Sequence, residues 1–302
     1  MTELVSDLIN GLSLGAMYAL IALGYTMVYG VLQLINFAHS DVMMVGAFAG
    51  FYTARSLDVA RHPASWKVAA VFGVAMVACA TLGFVIERLA YRPLRKQSRL
   101  TALITAIGVS LLLENGGQLP FVFGTDIRTM PDLLPTTELF TIAQVSVTAG
   151  QVLEISMAVG LMLLLQFIVY RTRFGSAMRA VSFNPEVAAL MGINVDRVIS
   201  LTFMLGSSLA AGAGILYSIE YPSLEPNMGM MPGLKAFVAA VVGGIGSVPG
   251  AMLGGLVMGL SEYLVVYIGY SGYRDAVAFT LLILILIVKP SGLMGRSVAE
   301  KV

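Results

Sequence analysis

The stretch LKAFVAAVVGGIGSVPGAMLGG, Leu234 to Gly255, is apolar at both ends and interrupted in the middle by Gly243, Gly244, Gly246, Pro249 and Gly250. A helix does not run unbroken through that cluster. In water the freed backbone would hydrate, but at bilayer depth each N–H and C=O needs another partner, so such a break requires protein or an aqueous cavity around it. Interrupted helices of this kind are where membrane carriers handle solute.

The rest of the chain supports the membrane reading. Hydrophobic residues make up 58% of it and charged residues 12%, the mean hydropathy is +0.86, and apolar runs of about 20 residues recur along its length. The single cysteine, Cys79, lies in an apolar run and excludes an intrachain disulfide framework. No Lys or Arg precedes Arg55, and Glu3 and Asp7 stand where a signal peptide would be basic, so no cleavage is expected.

The pattern predicts an all-α polytopic membrane protein of about eight or nine transmembrane segments with discontinuous helices, forming one transmembrane domain over residues 1–302. The apolar segments are 8–31, 40–54, 67–87, 100–122, 151–170, 198–220, 235–248, 250–268 and 273–289. Basic residues cluster in 88–99, in 171–197 and in the tail at Lys289, Arg296 and Lys301, which makes these regions cytoplasmic by the positive-inside rule. Acids such as Asp58, Asp126, Asp132, Glu220, Glu225 and Asp275 collect on the other face, together with the connection holding Arg55, Arg61 and Lys67. The N-terminus is then periplasmic and the C-terminus cytoplasmic.

A faint internal symmetry accompanies this. The first helix leads through QLINFAHSD, Gln33 to Asp41, into a short apolar helix. Segment 198–220 leads through YPSLEPNMGMMPG, Tyr221 to Gly233, into the short segment 235–248. Paired discontinuous segments are the pattern found around a transport pathway. Asn36, His39, Ser40 and Asp41 in the first break, and Gly243, Gly244, Gly246 and Ser247 in the glycine-rich one, are therefore pathway candidates.

Few ionisable groups are committed to the membrane interior. Glu262 is one, either functional or paired with a backbone donor, Ser or Tyr across a helix interface. Glu114 sits beside Asn115 and Gly116, towards the outer interface. His39 either protonates or binds solute, or caps a helix start. A metal site would need partners for it, and the other histidine is His62.

In 171–197, Asn184 is placed to cap a short helix over 185–191. Pro185 suits its first position, Glu186 complements its dipole and Gly192 ends it. Gly175 separates another short helix, 176–181. Ala188, Ala189, Leu190 and Met191 offer an apolar surface that suits insertion into a partner's groove, with Arg179 and Arg197 nearby.

The motifs ALIALGYTMVYG (19–30), INFAHSD (35–41), IERLAYRPLR (86–95), ALMGINVDRVISLTF (189–203) and GLKAFVAAVVGGIGSVPGAMLGG (233–255) resemble the LivH-type permease subunits of bacterial high-affinity branched-chain amino-acid ABC importers. The similarity extends to PSGLMGR near the C-terminus. Ser40 stands where that family usually has Gly, and Asp41 where Glu is common.

The resemblance implies a subunit of a heteromeric importer in the bacterial inner membrane. Its partners would be a second, LivM-like permease, two cytoplasmic ABC ATPase subunits and a periplasmic substrate-binding protein. It also implies that 171–197 is the ATPase-coupling loop, carried by Arg179, Asn184, Pro185, Glu186, Ala188, Leu190, Gly192 and Arg197.

The residues agree with that division. No lysine sits in a GxxxxGK[ST] loop, and GGIGSVPG lacks the strand and acidic residue of a dinucleotide site, so ATP and Mg belong to the partner subunits and this chain binds no cofactor or metal. No nucleophile–base or paired-carboxylate motif indicates an enzyme, and nothing points to nucleic acid. The same fold carrying another small solute (an amide, urea or a sugar), or an autonomous channel or secondary transporter, are the alternatives.

Overall fold

The computed structural model describes residues 2–295 except Pro63, Lys96, 135–136 and 143–144, so Lys96, Arg296 and Lys301 of the basic clusters lie outside the described residues. Within them run α1 (Thr2–Leu32), α2 (His39–Ser56), α3 (Ser65–Ile86), α4 (Arg99–Gly117), α5 (Ala149–Arg171), α6 (Arg173–Phe183), α7 (Pro185–Leu190), α8 (Val195–Glu220), α9 (Met230–Gly243), α10 (Val248–Tyr267) and α11 (Arg274–Val288). Seven of these helices are long and apolar enough to cross a membrane. Helix α2 is polar in its first turn, where His39, Ser40 and Asp41 lie. Helix α9 has 14 residues, about 21 Å of helix against a hydrocarbon core of about 30 Å.

Helix α1 is the centre of the bundle: 94% of its apolar window is buried, against 6% for α11. Small residues make this possible. A Cβ on Gly255 would lie 2.4 Å from the backbone of Ala19, and one on Gly259 would lie 2.2 Å from the backbone of Gly15. Helices α1 and α10 therefore touch backbone to backbone along their length, the close approach that small residues permit where lipid supplies no hydrophobic drive. The same contacts fix direction, since Gly11 meets Tyr263 and Gly15 meets Leu256, so α1 and α10 are antiparallel.

Tracing such contacts orients the passes around the two breaks. The end of α1 shares a face with the start of α8 and with the turn after α3, because Tyr91 reaches Asn36 and Arg92 reaches Asp196. From that face the non-helical residues 33–38 turn back inward. Helix α2 then starts with His39 against Gly24, which itself packs on Gly206, near the middle of α8, and α2 runs to the opposite face.

The second half does the reverse. Helix α8 reaches that opposite face, residues 221–229 dip back until Gly229 and Gly233 pack on Ser40, and α9 returns to the first face. Helices α1 and α2 are thus matched by α8 and α9 in inverted direction, and the starts of both short helices meet near mid-membrane. Among the described residues, α2 and α9 thus add two part-helical passes to the seven full-length spans.

The charges sort as the sequence implies. Glu3, Asp7, Asp58, Asp126, Asp132, Glu225 and Asp275 sit on the face where α1 begins; Arg88, Arg92, Arg95, Arg171 to Arg197 and Lys289 sit on the other.

Three local expectations change. Helix α4 stops at Gly117 rather than 122, and the connection to α5 carries small strands: β1 (Arg128–Thr129) pairs with β4 (Ser223–Leu224), and β2 (Glu138–Ile142) with β3 (Val145–Thr148). Gly175 does not divide a helix but lies in the first turn of α6, capped by Thr172, where a Cβ would collide with the backbone of Val169.

The third change concerns the opening stretch. Its glycine-rich break is the turn joining α9 to α10 at the face where α1 ends, not an interruption at mid-depth. Gly244 and Gly246 take φ of +105° and +92° there, a region open to glycine.

Candidate functional site

The end of the first break, from Asn36 to Asp41, is packed among neighbouring helices, whereas Gln33 at its start is exposed. Tyr91 donates to Asn36 Oδ1 at 2.9 Å, Ser40 donates to the Phe37 carbonyl at 3.2 Å, and Ser110 on α4 donates to the Asp41 carboxylate at 2.5 Å. Asn36, His39, Ser40 and Asp41 are all buried. Asn36, Ser40 and Asp41 thus find partners in the turn after α3, in the break's own backbone and in α4, and non-helical backbone persists in a membrane where protein surrounds it in this way.

His39 opens α2 but does not cap it: neither ring nitrogen has a hydrogen-bond partner. Its ring lies 4.8 Å from that of Tyr25 and presses on Gly24, where a Cβ would come within 2.1 Å of it. Tyr25 and Phe37 both contact Phe237 of α9, closing the break towards the basic face around a space of about 10 Å³.

The two sets of pathway candidates are not brought together. Ser40 meets Gly233, whereas Gly243 lies ten residues further along α9, about 15 Å away. Gly243 packs on Gly250, Gly244 on Gly295, and Ser247 caps α10 by accepting from Gly250 N at 3.2 Å. These residues therefore form a tight turn near Gly30. The partner of the first break is the second one, 221–229.

Glu262 is 1% exposed. It accepts from Lys235 Nζ at 3.0 Å and from Tyr18 at 3.4 Å, while Lys235 also reaches Asp275 at 2.8 Å. The tyrosine was within expectation and the lysine was not. Its signal was present in the opening stretch, where Lys235 is the one charge, but weighing the carboxylates alone misses a cation 27 residues away on another helix. Glu114 is half-buried near the end of α4.

A second unanticipated network joins α3 to α8 at the basic face. Glu87, fully buried in the π-helical turn Glu87–Tyr91, binds Arg95 and accepts from Ser200 at 2.6 Å. Arg95 also holds Asp196 at 2.6 Å, and Asp196 binds Arg92.

In the loop after α5, Asn184 caps α7 as expected, accepting from Glu186 N at 2.9 Å and Val187 N at 3.0 Å, with Pro185 first in the helix. Gly192, at φ +84°, follows its end. Ala188 faces inward at 3% exposure, so it is not part of an outward surface. That surface consists of Phe183, Val187, Leu190 and Met191, with Leu190 87% exposed.

Arg179 folds back onto the Val169 carbonyl and over the Tyr170 ring. Arg197 lies on the other side of α8's first turn, in a cleft with Arg88. Ser182 of α6 binds the Gly30 carbonyl, tying the loop to the end of α1 directly before the first break.

Residues 8–286 match the family described as branched-chain amino acid transport system / permease component. The high-affinity branched-chain amino acid transport system permease protein LivH of Salmonella typhimurium is 43% identical over 305 residues, covering 99% of this chain and 97% of that protein. LivH of Escherichia coli K12 aligns at the same identity and coverage. The permease protein BraD of Pseudomonas aeruginosa is 40% identical over 302 residues, covering 99% of this chain and 98% of its own length.

Proposed function

Because the chain belongs to the family of permease components of branched-chain amino acid transport systems, we propose that it forms, with a second LivM-like permease, the membrane channel of an ABC importer for leucine, isoleucine and valine. It is a multi-pass membrane protein and a transport subunit rather than an enzyme. Two ATPase subunits bind and hydrolyse Mg-ATP on the basic, cytoplasmic face, and a periplasmic binding protein delivers solute to the acidic one. The N-terminus is then periplasmic and the C-terminus cytoplasmic. The observation that carries the reading is similarity to transport permeases over 99% of the chain.

The junction of the two breaks, with Asn36, His39, Ser40 and Asp41 against Gly229 and Gly233, gates the solute route. Its side chains are held by hydrogen bonds to α3's end and α4, so moving those helices opens it. The loop 171–197 couples that motion to ATP. Its apolar knob of Phe183, Val187, Leu190 and Met191 docks on an ATPase subunit, and Ser182 passes the displacement to Gly30 and so to the break. The scarcity of fixed charge along the route suits an apolar solute that must be released rather than held.

Reconstitution of the four membrane and ATPase subunits with the binding protein tests this. ATP-dependent leucine uptake is expected, with no flux through this chain alone. Solute movement by the lone chain would refute the ABC mechanism, and uptake of a sugar or urea in place of leucine would refute the assigned solute.

A further inference from the structure

At the basic face a cavity of about 330 Å³ opens between the end of α3 and the start of α8. Three arginines line it: Arg88, Arg92 and Arg197. Arg92 is committed to Asp196, the one carboxylate in the lining, and Asp196 is held as well by Arg95. Arg88 and Arg197 are exposed and make no ion pair among the described residues. The cleft therefore presents two uncompensated guanidiniums, at the start of a 26-residue helix whose positive end also favours an anion.

Asn194 and Ser200 complete the polar lining, the first capping α8 and the second bound to Glu87, and the remaining three residues, Phe84, Leu201 and Met204, are apolar. Phe84 lies one turn before Arg88 on a helix running towards this face. Leu201 lies one turn after Arg197 on a helix running away from it. Both are therefore about 6 Å deeper in the membrane than the arginines, and both are partly exposed, at 39% and 38%. Met204 continues the apolar wall inward. Charge at the interface and an open apolar groove directly beneath it match the polarity of a phospholipid, and basic pockets between helices at this depth hold anionic headgroups.

We propose that this cleft is a binding site for an anionic phospholipid of the adjacent leaflet, its phosphate between Arg88 and Arg197 and an acyl chain along Phe84, Leu201 and Met204. A free phosphate would gain nothing from the apolar wall. A soluble partner such as an ATPase subunit would seat on the polar rim outside the bilayer and leave the wall to lipid, whereas a second permease covering the wall would exclude the lipid and abolish its binding to the assembled transporter. Because Asp196 and Glu87 tie the two helices together beside the cleft, the lipid braces the joint between α3 and α8.

The test uses the assembled transporter in detergent, with phosphatidylglycerol, phosphatidylcholine and inorganic phosphate as probes, read by native mass spectrometry and thermal shift. Phosphatidylglycerol is expected to stay bound. The double variant Arg88→Gln, Arg197→Gln is expected to lower its affinity by roughly thirtyfold, two lost charge contacts at the interface, while phosphatidylcholine binding is unchanged. Arg88→Lys with Arg197→Lys is expected to keep most of the affinity. Leu201→Trp fills the groove without touching charge and is expected to weaken phosphatidylglycerol too, which decides the matter if the arginine variant does not assemble.

Any of three results overturns the proposal. They are phosphatidylglycerol binding unchanged in the glutamine variant or in Leu201→Trp, inorganic phosphate competing at concentrations equal to the lipid, or loss of the ATPase subunits from the arginine variant with lipid binding intact.

Discussion

Replacing Lys235 by Met should damage this protein more than replacing its partner Glu262 by Gln. Lys235 bridges two carboxylates of unequal exposure, Asp275 with a side chain 55% exposed and Glu262 with one 1% exposed. When the ammonium is removed, Asp275 rehydrates, and the loss of its half-exposed pair costs about 0–1 kcal/mol. Glu262 has no such recourse: it keeps one long hydrogen bond from Tyr18, and its Oε1 has no partner already.

Stranding one member of a buried pair costs about 3–5 kcal/mol. In Glu262→Gln the ammonium keeps Asp275 and the amide still accepts, so the cost is that of one altered buried hydrogen bond, about 1–3 kcal/mol. Lys235→Met combined with Glu262→Leu removes both charges, and apolar replacement of a whole pair is often near neutral. The expected order of damage is Lys235→Met, then Glu262→Gln, then the double variant. The assay is the fraction of assembled complex surviving a temperature series on gel filtration, with leucine uptake measured in parallel. A double variant worse than Lys235→Met, or Glu262→Gln worse than Lys235→Met, refutes the reasoning. A changed uptake preference in a fully assembled Glu262→Gln complex would make Glu262 a recognition residue instead.

Three further outcomes are expected. With Cys79 replaced by Ala, Ser247→Cys should react with aqueous thiol reagents in every nucleotide state because it lies in a turn at the membrane face, whereas Ser40→Cys should react only during ATP turnover; constant reactivity at Ser40 would mean the junction is no gate. Leu190→Asp should leave insertion and expression intact but abolish coupled ATP hydrolysis and ATPase co-purification, while Ala188→Asp, which buries a carboxylate without a partner, should reduce the amount of folded chain; equal expression of the two would refute their opposite facing. Gly24→Ala drives a methyl into the His39 ring and should cost about 1–3 kcal/mol in thermal stability, recovered by adding His39→Ala; no recovery would mean that the α1–α8 crossing, not the histidine, limits the space.

Local features carried the readings that the sequence alone secured. Hydropathy located the spans because each must bury about 20 residues whatever its neighbours, and the alternation of basic and acidic connections sorted the two faces. A polar run marked the first discontinuity and a run with Pro and Gly the second, and Asn184, Pro185 and Gly192 outlined α7, since caps act within a few residues of themselves. The family motifs extended this to function because they recur in order along the whole chain.

Other properties depended on how the helices rotate and at what depth they stop, and no short window contains that. The glycine-rich run in the opening stretch breaks a helix, as its composition requires, but it does so at the membrane face because α9 begins midway, on Ser40. Ala188 and Leu190 are both apolar residues of one short helix, and only its rotation turns the first inward and the second out. Glu262 found Lys235, Glu87 found Arg95, and Asp196 joined two arginines through contacts between different helices. A charge buried in a membrane demands a partner, but the packing of the bundle chooses which one.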